Sequence, residues 1–258
     1  MQKAFSHSIL AMLLLVLNPA ESPGQVQLFD GRTLDGWYTF LQQRGRDSDP
    51  KDVFTVRDGM IRISGEEWGC ITTEEEYSHY RIVVEYKWGE RTFEPRLNNA
   101  RDCGLLLHSV GEDGGSQGIW MHSIECQMIE GGTGDFIVVG DGTDQFQITC
   151  AVREDQQGNL FFARENGHPR TVTQGRINWY GRDPEWKDVL GFRGRQDVEN
   201  PVGEWNTLEC IVSDTWITVY LNGTLVNQAM AVSPDKGRIQ IQSEGAEVFI
   251  RKVEITPL

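Results

Sequence analysis

The chain of 258 residues is short of positive charge, of zinc-type cysteine patterns and of long apolar runs. It has 24 Lys and Arg against 38 Asp and Glu, and the net charge of −14 argues against nucleic acid or an anionic membrane surface as partner. There is no CxxC pair and no zinc-type spacing among the five cysteines. Beyond the N-terminus, no stretch is long and apolar enough to predict a transmembrane helix. The composition favours a soluble protein that binds neutral ligands.

The cysteines are odd in number, which favours free thiols over a complete disulfide framework. Cys103, Cys126 and Cys210 alternate with polar residues, so each is expected on the apolar side of a strand. A free thiol in that position behaves as a small apolar group. We therefore expect most of the cysteines to be buried and unpaired.

The N-terminus carries the pattern of a secretory signal peptide. Lys3 precedes an apolar run over residues 9–17, which is too short to span a bilayer, and Ala20 supplies a small residue after it. A buried N-terminal helix is the alternative interpretation. We expect residues 1–24 to be the signal peptide, residues 25–258 to form one domain, and the protein to be exported to the periplasm or the cell exterior.

Helical apolar stripes and internal repeats are both missing, whereas short alternating segments are frequent. Residues 80–88 (YRIVVEYKW) alternate apolar and polar side chains, which is typical of a strand with one buried face. Asp58-Gly59 predicts a tight turn in a hairpin over residues 53–63. Many short strands with regular turns predict an all-β sandwich or jelly roll of two antiparallel sheets. Residues 178–200 have no clean period and are predicted to be a long excursion from it.

Two alternating segments carry candidate catalytic groups: residues 103–109 (CGLLLHS) and residues 123–129 (SIECQMI). The period of two predicts His108 on the polar face of the first segment, and Glu125 with Gln127 on the polar face of the second. An imidazole, a carboxylate and an amide on one sheet face could form a catalytic or metal-binding floor.

A series of motifs gives a family resemblance: LFDGRTLDGW, YRIVVEYKW, CGLLLHS, SIECQMIEGGTGDF, GEWNTLECIV, LNG, GRIQIQSEG and FIRKVEI. In order and spacing this series resembles the 3-keto-disaccharide hydrolase domain family over almost the whole mature chain. The resemblance implies a concanavalin A-like jelly-roll sandwich with a concave polar face. It also implies activity on glycosides whose glucose ring carries a ketone at C3, by hydrolysis or elimination, in some relatives with a divalent metal.

The chain departs from the family pattern at two positions. Many members end an NSGI-type motif with Arg where this chain has His108, and many carry His in an LQxHG motif where this chain has Glu244. These differences indicate a subfamily.

Candidate catalytic residues follow from the chemistry that the resemblance implies. A glycosidic bond is normally cleaved between two carboxylic groups, for which Glu85 and Glu125 are the candidates. On a 3-keto sugar a base can instead remove the C2 proton, and the C1 substituent then leaves by elimination. For that route we expect His108 or Glu125 as base, and Lys87 or a divalent cation at the enolate oxygen.

Other residues are candidates for binding the sugar. Gln127 and Gln242 would orient sugar hydroxyls, Trp120 would stack on an apolar sugar face, and Arg251 is a further candidate.

A metal site is a separate possibility. His108, Glu125 and Gln127 would be its ligands. Oxygen ligands suit calcium, and an imidazole suits zinc, iron or manganese.

Each catalytic candidate also has a structural interpretation. Glu85 and Lys87 could be a solvated ion pair, worth about 0–1 kcal/mol. His108 could be a hydrogen-bonded structural histidine. Glu125 is the strongest functional candidate, because a carboxylate among apolar neighbours is costly to leave unpaired.

For the whole protein, the alternatives to an exported glycoside-cleaving enzyme are a non-catalytic carbohydrate-binding module and a scaffold domain, since fold does not determine function. Convergence of Glu85, His108 and Glu125 in one pocket would favour the enzyme.

Overall fold

A computed structural model describes residues 24–258, and within them all regular structure is β. The strands are β1 (Val26–Gln27), β2 (Trp37–Leu41), β3 (Gly45–Arg46), β4 (Phe54–Arg57), β5 (Met60–Ile63), β6 (Gly69–Thr73), β7 (Tyr80–Thr92), β8 (Asp102–Val110), β9 (His122–Ile129), β10 (Phe136–Val139), β11 (Gln147–Glu154), β12 (Leu160–Phe162), β13 (His168–Val172), β14 (Gly175–Ile177), β15 (Asn206–Ser213), β16 (Trp216–Leu221), β17 (Thr224–Ser233), β18 (Arg238–Ser243) and β19 (Ala246–Pro257). The predicted signal peptide lies outside the described residues except for its last residue, Gly24. In the described part, no helix has the length and apolarity that a membrane span requires.

Two antiparallel sheets pack face to face. The larger runs β12-β11-β17-β16-β15-β7-β19-β5-β4, with β1 added beside β19 and β13 beside β11. The smaller runs β14-β10-β9-β8-β18-β6-β2-β3. Apolar side chains from both sheets form one continuous core between them. This architecture confirms the predicted all-β sandwich of jelly-roll type.

The core follows from the period of two. On β7, the side chains of Ile82, Val84, Tyr86 and Trp88 are at most 1% exposed, as the alternation predicted. Burying one such apolar side chain contributes about 1.5–3 kcal/mol. All five cysteines are buried free thiols, which confirms that prediction too.

The predicted hairpin is present as β4 and β5. Asp58 and Gly59 join these strands with φ angles of 52° and 75°. Both angles are positive, as a two-residue turn of this kind requires, and a glycine reaches that region without steric cost. The hairpin prediction is confirmed.

A bulge interrupts β8 near its end. The pairing of β8 with β9 shifts register between Leu107 and Val110, and His108 has a φ of 54°. The bulge turns His108 inward, where the ring is fully buried and meets Tyr80 edge to face at 6.0 Å. The prediction that His108 lies on the polar face is therefore wrong, because an extra residue in one strand breaks the alternation.

The segment over residues 178–200 leaves the sandwich, as predicted, between β14 and β15. It folds back over the turn that follows β9. The indole nitrogen of Trp186 donates a hydrogen bond to the carbonyl oxygen of Glu130 at 2.8 Å. Asp188 accepts hydrogen bonds from the backbone of Ala100 at 3.0 Å and the side chain of Asn99 at 2.7 Å. The excursion thus forms an ordered wall at one end of the smaller sheet.

Candidate functional site

The outer face of the smaller sheet carries a cavity of about 410 Å³, which we call the carboxyl pocket. Four of the predicted candidates meet in it: Glu125, Gln127, Gln242 and Trp120. The first two lie on β9 with their side chains on the side away from the core, as the alternation predicted. Gln242 comes from β18, which lies two strands away beyond β8. The polar face predicted for residues 123–129 is thus the floor of a pocket.

The pocket also contains charged residues that were not among the predicted site residues. Asp102 begins β8, Glu244 follows the end of β18, and Arg176 lies on the edge strand β14. In the register, Glu125 is opposite Ile137, and Ile137 is opposite Arg176, so the carboxyl group and the guanidinium lie in one row across three strands. The alternation that placed His108 would also have placed Asp102 on the polar face. No signal in the sequence indicated that β14 pairs with β10.

Gly104 makes room for the pocket floor. On this residue of β8, a Cβ atom would clash with the terminal oxygens of Glu125 and Gln242, which both lie over the glycine. The missing side chain therefore allows an acid from one neighbouring strand and an amide from the other to approach each other across β8.

Burial controls the charge of the carboxyl groups. Burial and, to a smaller extent, repulsion from Asp102 raise the pKa of Glu125 to about 8. Burial raises the pKa of Asp102 to about 7, against the opposite effect of the Arg96 guanidinium. The pKa of Glu244 is also well above its usual range, through burial and repulsion from Asp102 and Glu125. Near neutral pH, the pocket therefore contains both proton donors and a carboxyl group close to its titration midpoint.

Two arginines oppose these acids. Arg96 forms an ion pair with Asp102 at 3.0 Å. Arg176 forms an ion pair with the fully buried Asp135 at 2.6 Å. Its positive charge partly offsets the rise in the pKa values of Glu125 and Asp102. Arg182 pairs with the same Asp135 oxygen. The guanidinium of Arg176 is thus anchored on one side and lines the pocket on the other.

Four polar atoms of residues that line the pocket are buried and have no hydrogen-bond partner among the described residues. They are Oδ1 of Asp102, Oε1 of Gln242, Nε1 of Trp68 and Nε of Arg96. Unpaired buried polar atoms are costly and uncommon. A ligand rich in hydroxyl groups can both donate to the two oxygens and accept from the indole nitrogen. Together with the indole of Trp120, this set suits a sugar ring.

Three predicted residues lie elsewhere, on the outer face of the larger sheet. Glu85 pairs with Arg251 at 2.5 Å, with side chains 23% and 46% exposed. Lys87 and Arg251 lie over the ring of Trp205, at 5.0 and 4.3 Å from its centroid. Glu85, His108 and Glu125 do not converge in one pocket: Glu85 belongs to the larger sheet, and His108, although in the same sheet as Glu125, faces the interior. The predicted ion pair of Glu85 with Lys87 is not among the ion pairs of the described residues, and Glu85 pairs with Arg251 instead.

Residues 24–256 of the chain match the family model of the 3-keto-alpha-glucoside-1,2-lyase-like domain. The chain belongs to this family. The match covers nearly all of the described residues and confirms the resemblance that the motif series indicated. Membership in this family assigns the protein to carbohydrate chemistry.

Solved structures with the same fold include two candidate glycosyl hydrolases from Parabacteroides distasonis ATCC 8503. The first has a TM-score of 0.53 and 20% identity over 91% of this chain and 94% of that one. The second has a TM-score of 0.51 and 16% identity over 91% of this chain and 99% of that one. At these identities the likeness establishes the fold alone. No curated protein sequence matches the chain.

The metal site expected from His108, Glu125 and Gln127 is not assembled, since His108 faces the interior and bonds through Nδ1 to the carbonyl of Pro234 at 2.7 Å. Across residues 24–258, no group of three or more His, Cys, Asp or Glu side chains has an arrangement that could hold a metal ion. These residues do not fit a metal centre of that kind.

Proposed function

We propose that this protein cleaves glycosides whose glucose ring carries a ketone at C3, by eliminating the substituent at C1. One observation supports this most strongly: Asp102, Glu125 and Glu244, three carboxyl groups with raised pKa values, share a pocket with the guanidinium of Arg176. The family of the chain supports the choice of substrate.

The reaction needs a base, an acid and an electrostatic partner for developing negative charge. The ketone at C3 acidifies the hydrogen on C2. A base removes that proton, and the C2–H electron pair becomes an enolate whose negative charge lies on O3. When the enolate collapses, a double bond forms between C1 and C2, the C1–O1 bond breaks, and an acid protonates O1. Water can later add to C1 and give the free 3-keto sugar.

The raised pKa values suggest how these roles are divided. Asp102 pairs through Oδ2 with the Arg96 guanidinium, which favours its carboxylate form, and its Oδ1 has no partner, so it acts as the base. Glu125, with a pKa of about 8, retains its proton at neutral pH and acts as the acid for O1. Arg176 stabilises the enolate oxygen, a role for which the sequence predicted Lys87 or a divalent cation. Because the three carboxyl groups interact, the apparent pKa values in the pH dependence of kcat/KM belong to the set and not to single residues.

The remaining groups would hold the ring. Gln127 and Gln242 offer amides to the sugar hydroxyls, Trp68 offers its free indole N–H, and Trp120 offers an apolar face. These are contacts of the type that orient a sugar against a general acid and a general base.

The proposal is tested with a 3-keto-glucoside that carries a 4-nitrophenyl leaving group, in both anomers. Wild-type protein should release nitrophenol, and Asp102→Asn should lose about a hundredfold or more in kcat on this substrate. Glu125→Gln should lose as much on the methyl 3-keto-glucoside, whose leaving oxygen needs a proton; both losses are the usual contribution of a general base or acid. Glu85→Gln on the opposite sheet is the matched control and should behave as wild type. Tight sugar binding by the wild type without turnover of either anomer would favour the carbohydrate-binding module instead.

A further inference from the structure

A second cavity, of about 530 Å³, lies beyond the edge strand β14. We call it the outer cavity. Gln174 and Arg176 line both this cavity and the carboxyl pocket, so the two share a wall. The proposed reaction uses Arg176 from the side of the carboxyl pocket and gives the outer cavity no role.

The outer cavity has walls from both sheets and from the excursion over residues 178–200. Phe161 of β12, in the larger sheet, forms an isolated bridge with Asn178, which directly follows β14 of the smaller sheet. From the excursion, Arg182 stacks on the ring of Trp186 at 4.1 Å from its centroid. A Cβ atom at Gly132 would collide with the guanidinium of Arg182, so this glycine makes room for it. The fold therefore holds Arg182 in a defined place in the wall.

Two guanidinium groups in this wall share one carboxylate oxygen. Arg176 and Arg182 both donate to Oδ2 of Asp135, which is fully buried. Within residues 24–258, neither guanidinium has a hydrogen bond to any other group. A guanidinium carries several N–H donors in a fixed fork and no acceptor. Most of the donors of this pair are therefore left for a ligand.

The surroundings of the pair are short of negative charge. Burial foremost, and repulsion from Arg176 in addition, lower the pKa of Arg182, and the attraction of Asp135 does not offset them. Asp183, the other acid of the lining, is already occupied. Its oxygens accept from two backbone N–H groups at 2.9 and 3.2 Å, and it pairs with the guanidinium of Arg195 at 3.5 Å. A bound anion would offset the repulsion between two like charges in a site largely removed from water.

The remaining lining is neutral. Apolar surface comes from Leu160, Val172 and Pro184, and Gln174 adds an amide. The volume of about 530 Å³ is in the range of pockets that hold small organic molecules, and it exceeds what a single inorganic anion fills. The outer cavity thus joins cationic donors on one side to apolar surface on the other.

We infer that the outer cavity is a binding site for a small organic anion. Arg176 and Arg182 hold its phosphate or carboxylate group, and its apolar part lies on Leu160 and Pro184. Guanidinium groups bind such oxyanions through paired, charge-assisted hydrogen bonds. This ligand is neither the sugar ring nor the group at C1 of the proposed reaction, and the site does not depend on that reaction.

Phenyl phosphate is a suitable probe, because it joins an oxyanion to an apolar ring. Isothermal titration calorimetry at low ionic strength should show saturable binding to the wild type. Phenol and inorganic phosphate each carry one part of the probe only, and both should bind at least about tenfold more weakly. Benzoate, titrated in parallel, shows whether the site prefers a carboxylate or a phosphate.

Two pairs of variants locate the bound anion, and neither Arg182 nor Pro184 lines the carboxyl pocket. Arg182→Gln removes one positive charge and should weaken the binding of phenyl phosphate at least about tenfold, whereas Arg182→Lys keeps the charge and should lose less. Pro184 is exposed, so Pro184→Glu adds a carboxylate at the edge of the cavity. It should weaken binding about threefold or more relative to Pro184→Gln, its neutral match.

The inference is overturned if the wild type does not bind phenyl phosphate at millimolar concentrations, or if phenol or inorganic phosphate binds as tightly. It is also overturned if Arg182→Gln and Pro184→Glu both bind the probe like the wild type, since the anion would then lie elsewhere. If Arg182→Gln does not fold, the two variants of the exposed Pro184 decide the matter. The titrations measure binding without turnover, so failure of the proposed cleavage would not alter their result.

Discussion

Replacing Glu125 by Gln should make the folded protein more stable at alkaline pH while it removes a catalytic group. Glu125 is 4% exposed, and burial together with repulsion from Asp102 raises its pKa to about 8 from an ordinary value of 4.5. Glutamine has nearly the same shape and cannot ionise. A residue that destabilises the fold when charged yet stands in a pocket is typical of a functional site.

The size and sign of the effect follow from proton binding. In the unfolded chain the carboxyl group loses its proton near pH 4.5, and in the folded protein near pH 8. Between these values the unfolded state binds fewer protons, so the free energy of unfolding falls as the pH rises. Above pH 8, the full difference between the two pKa values corresponds to a loss on the order of 5 kcal/mol in the free energy of unfolding of the wild type. We expect the two proteins to be about equally stable at pH 4 and the variant to be several kcal/mol more stable at pH 9.

Urea denaturation followed by tryptophan fluorescence at pH 4, 7 and 9 measures this difference. Glu85→Gln provides the control, because Glu85 lies on the outer face of the larger sheet in an ion pair with Arg251. Its stability should follow that of wild type at each pH. If Glu125→Gln also followed wild type, the carboxyl group would have an ordinary pKa, and the proposed acid role would lose its basis.

Three further predictions concern the pocket and its surroundings. The kcat/KM on a 3-keto-glucoside should pass through a maximum between about pH 7 and about pH 8, with limbs that belong to the interacting acids as a set; a profile that is flat from pH 6 to 9 would contradict the assigned roles. Gly104→Ala should displace the side chains of Glu125 and Gln242 and lower kcat/KM by about a hundredfold, measured with folding checked by circular dichroism; activity near that of wild type would show that their placement over Gly104 is unimportant. Arg251→Ala should change the free energy of unfolding by less than about 1 kcal/mol and leave turnover unaltered, whereas a large loss of turnover would bring the outer face of the larger sheet into the reaction.

Much of the fold could be predicted because regular strands obey a simple rule. The alternation of β7 identified its four core residues, and that of β9 put Glu125 and Gln127 on the polar face. Asp58-Gly59 marked a hairpin because few other residue pairs accept two positive φ angles in succession. These are local properties, and each can be read within one segment.

The errors arose where position depends on contacts distant in sequence. A bulge near the end of β8 reversed the face of His108, and bulges leave little trace in an apolar pattern. Glu85 does lie on the polar face of β7, but the alternation of a segment does not tell which sheet the strand joins. Arg176 reached the pocket only through the pairing of β14 with β10, two strands separated by about 35 residues of chain.

The central claim is that cleavage proceeds by removal of the C2 proton from a 3-keto sugar. The most direct test compares a 3-keto-glucoside, the same substrate with deuterium at C2, and the unoxidised glucoside under one set of conditions. The account predicts turnover of the ketone only, slowed by deuterium when proton removal limits the rate, together with a product unsaturated between C1 and C2 before water adds. Equal cleavage of the unoxidised glucoside, with no effect of deuterium, would contradict it and indicate direct hydrolysis between two carboxyl groups.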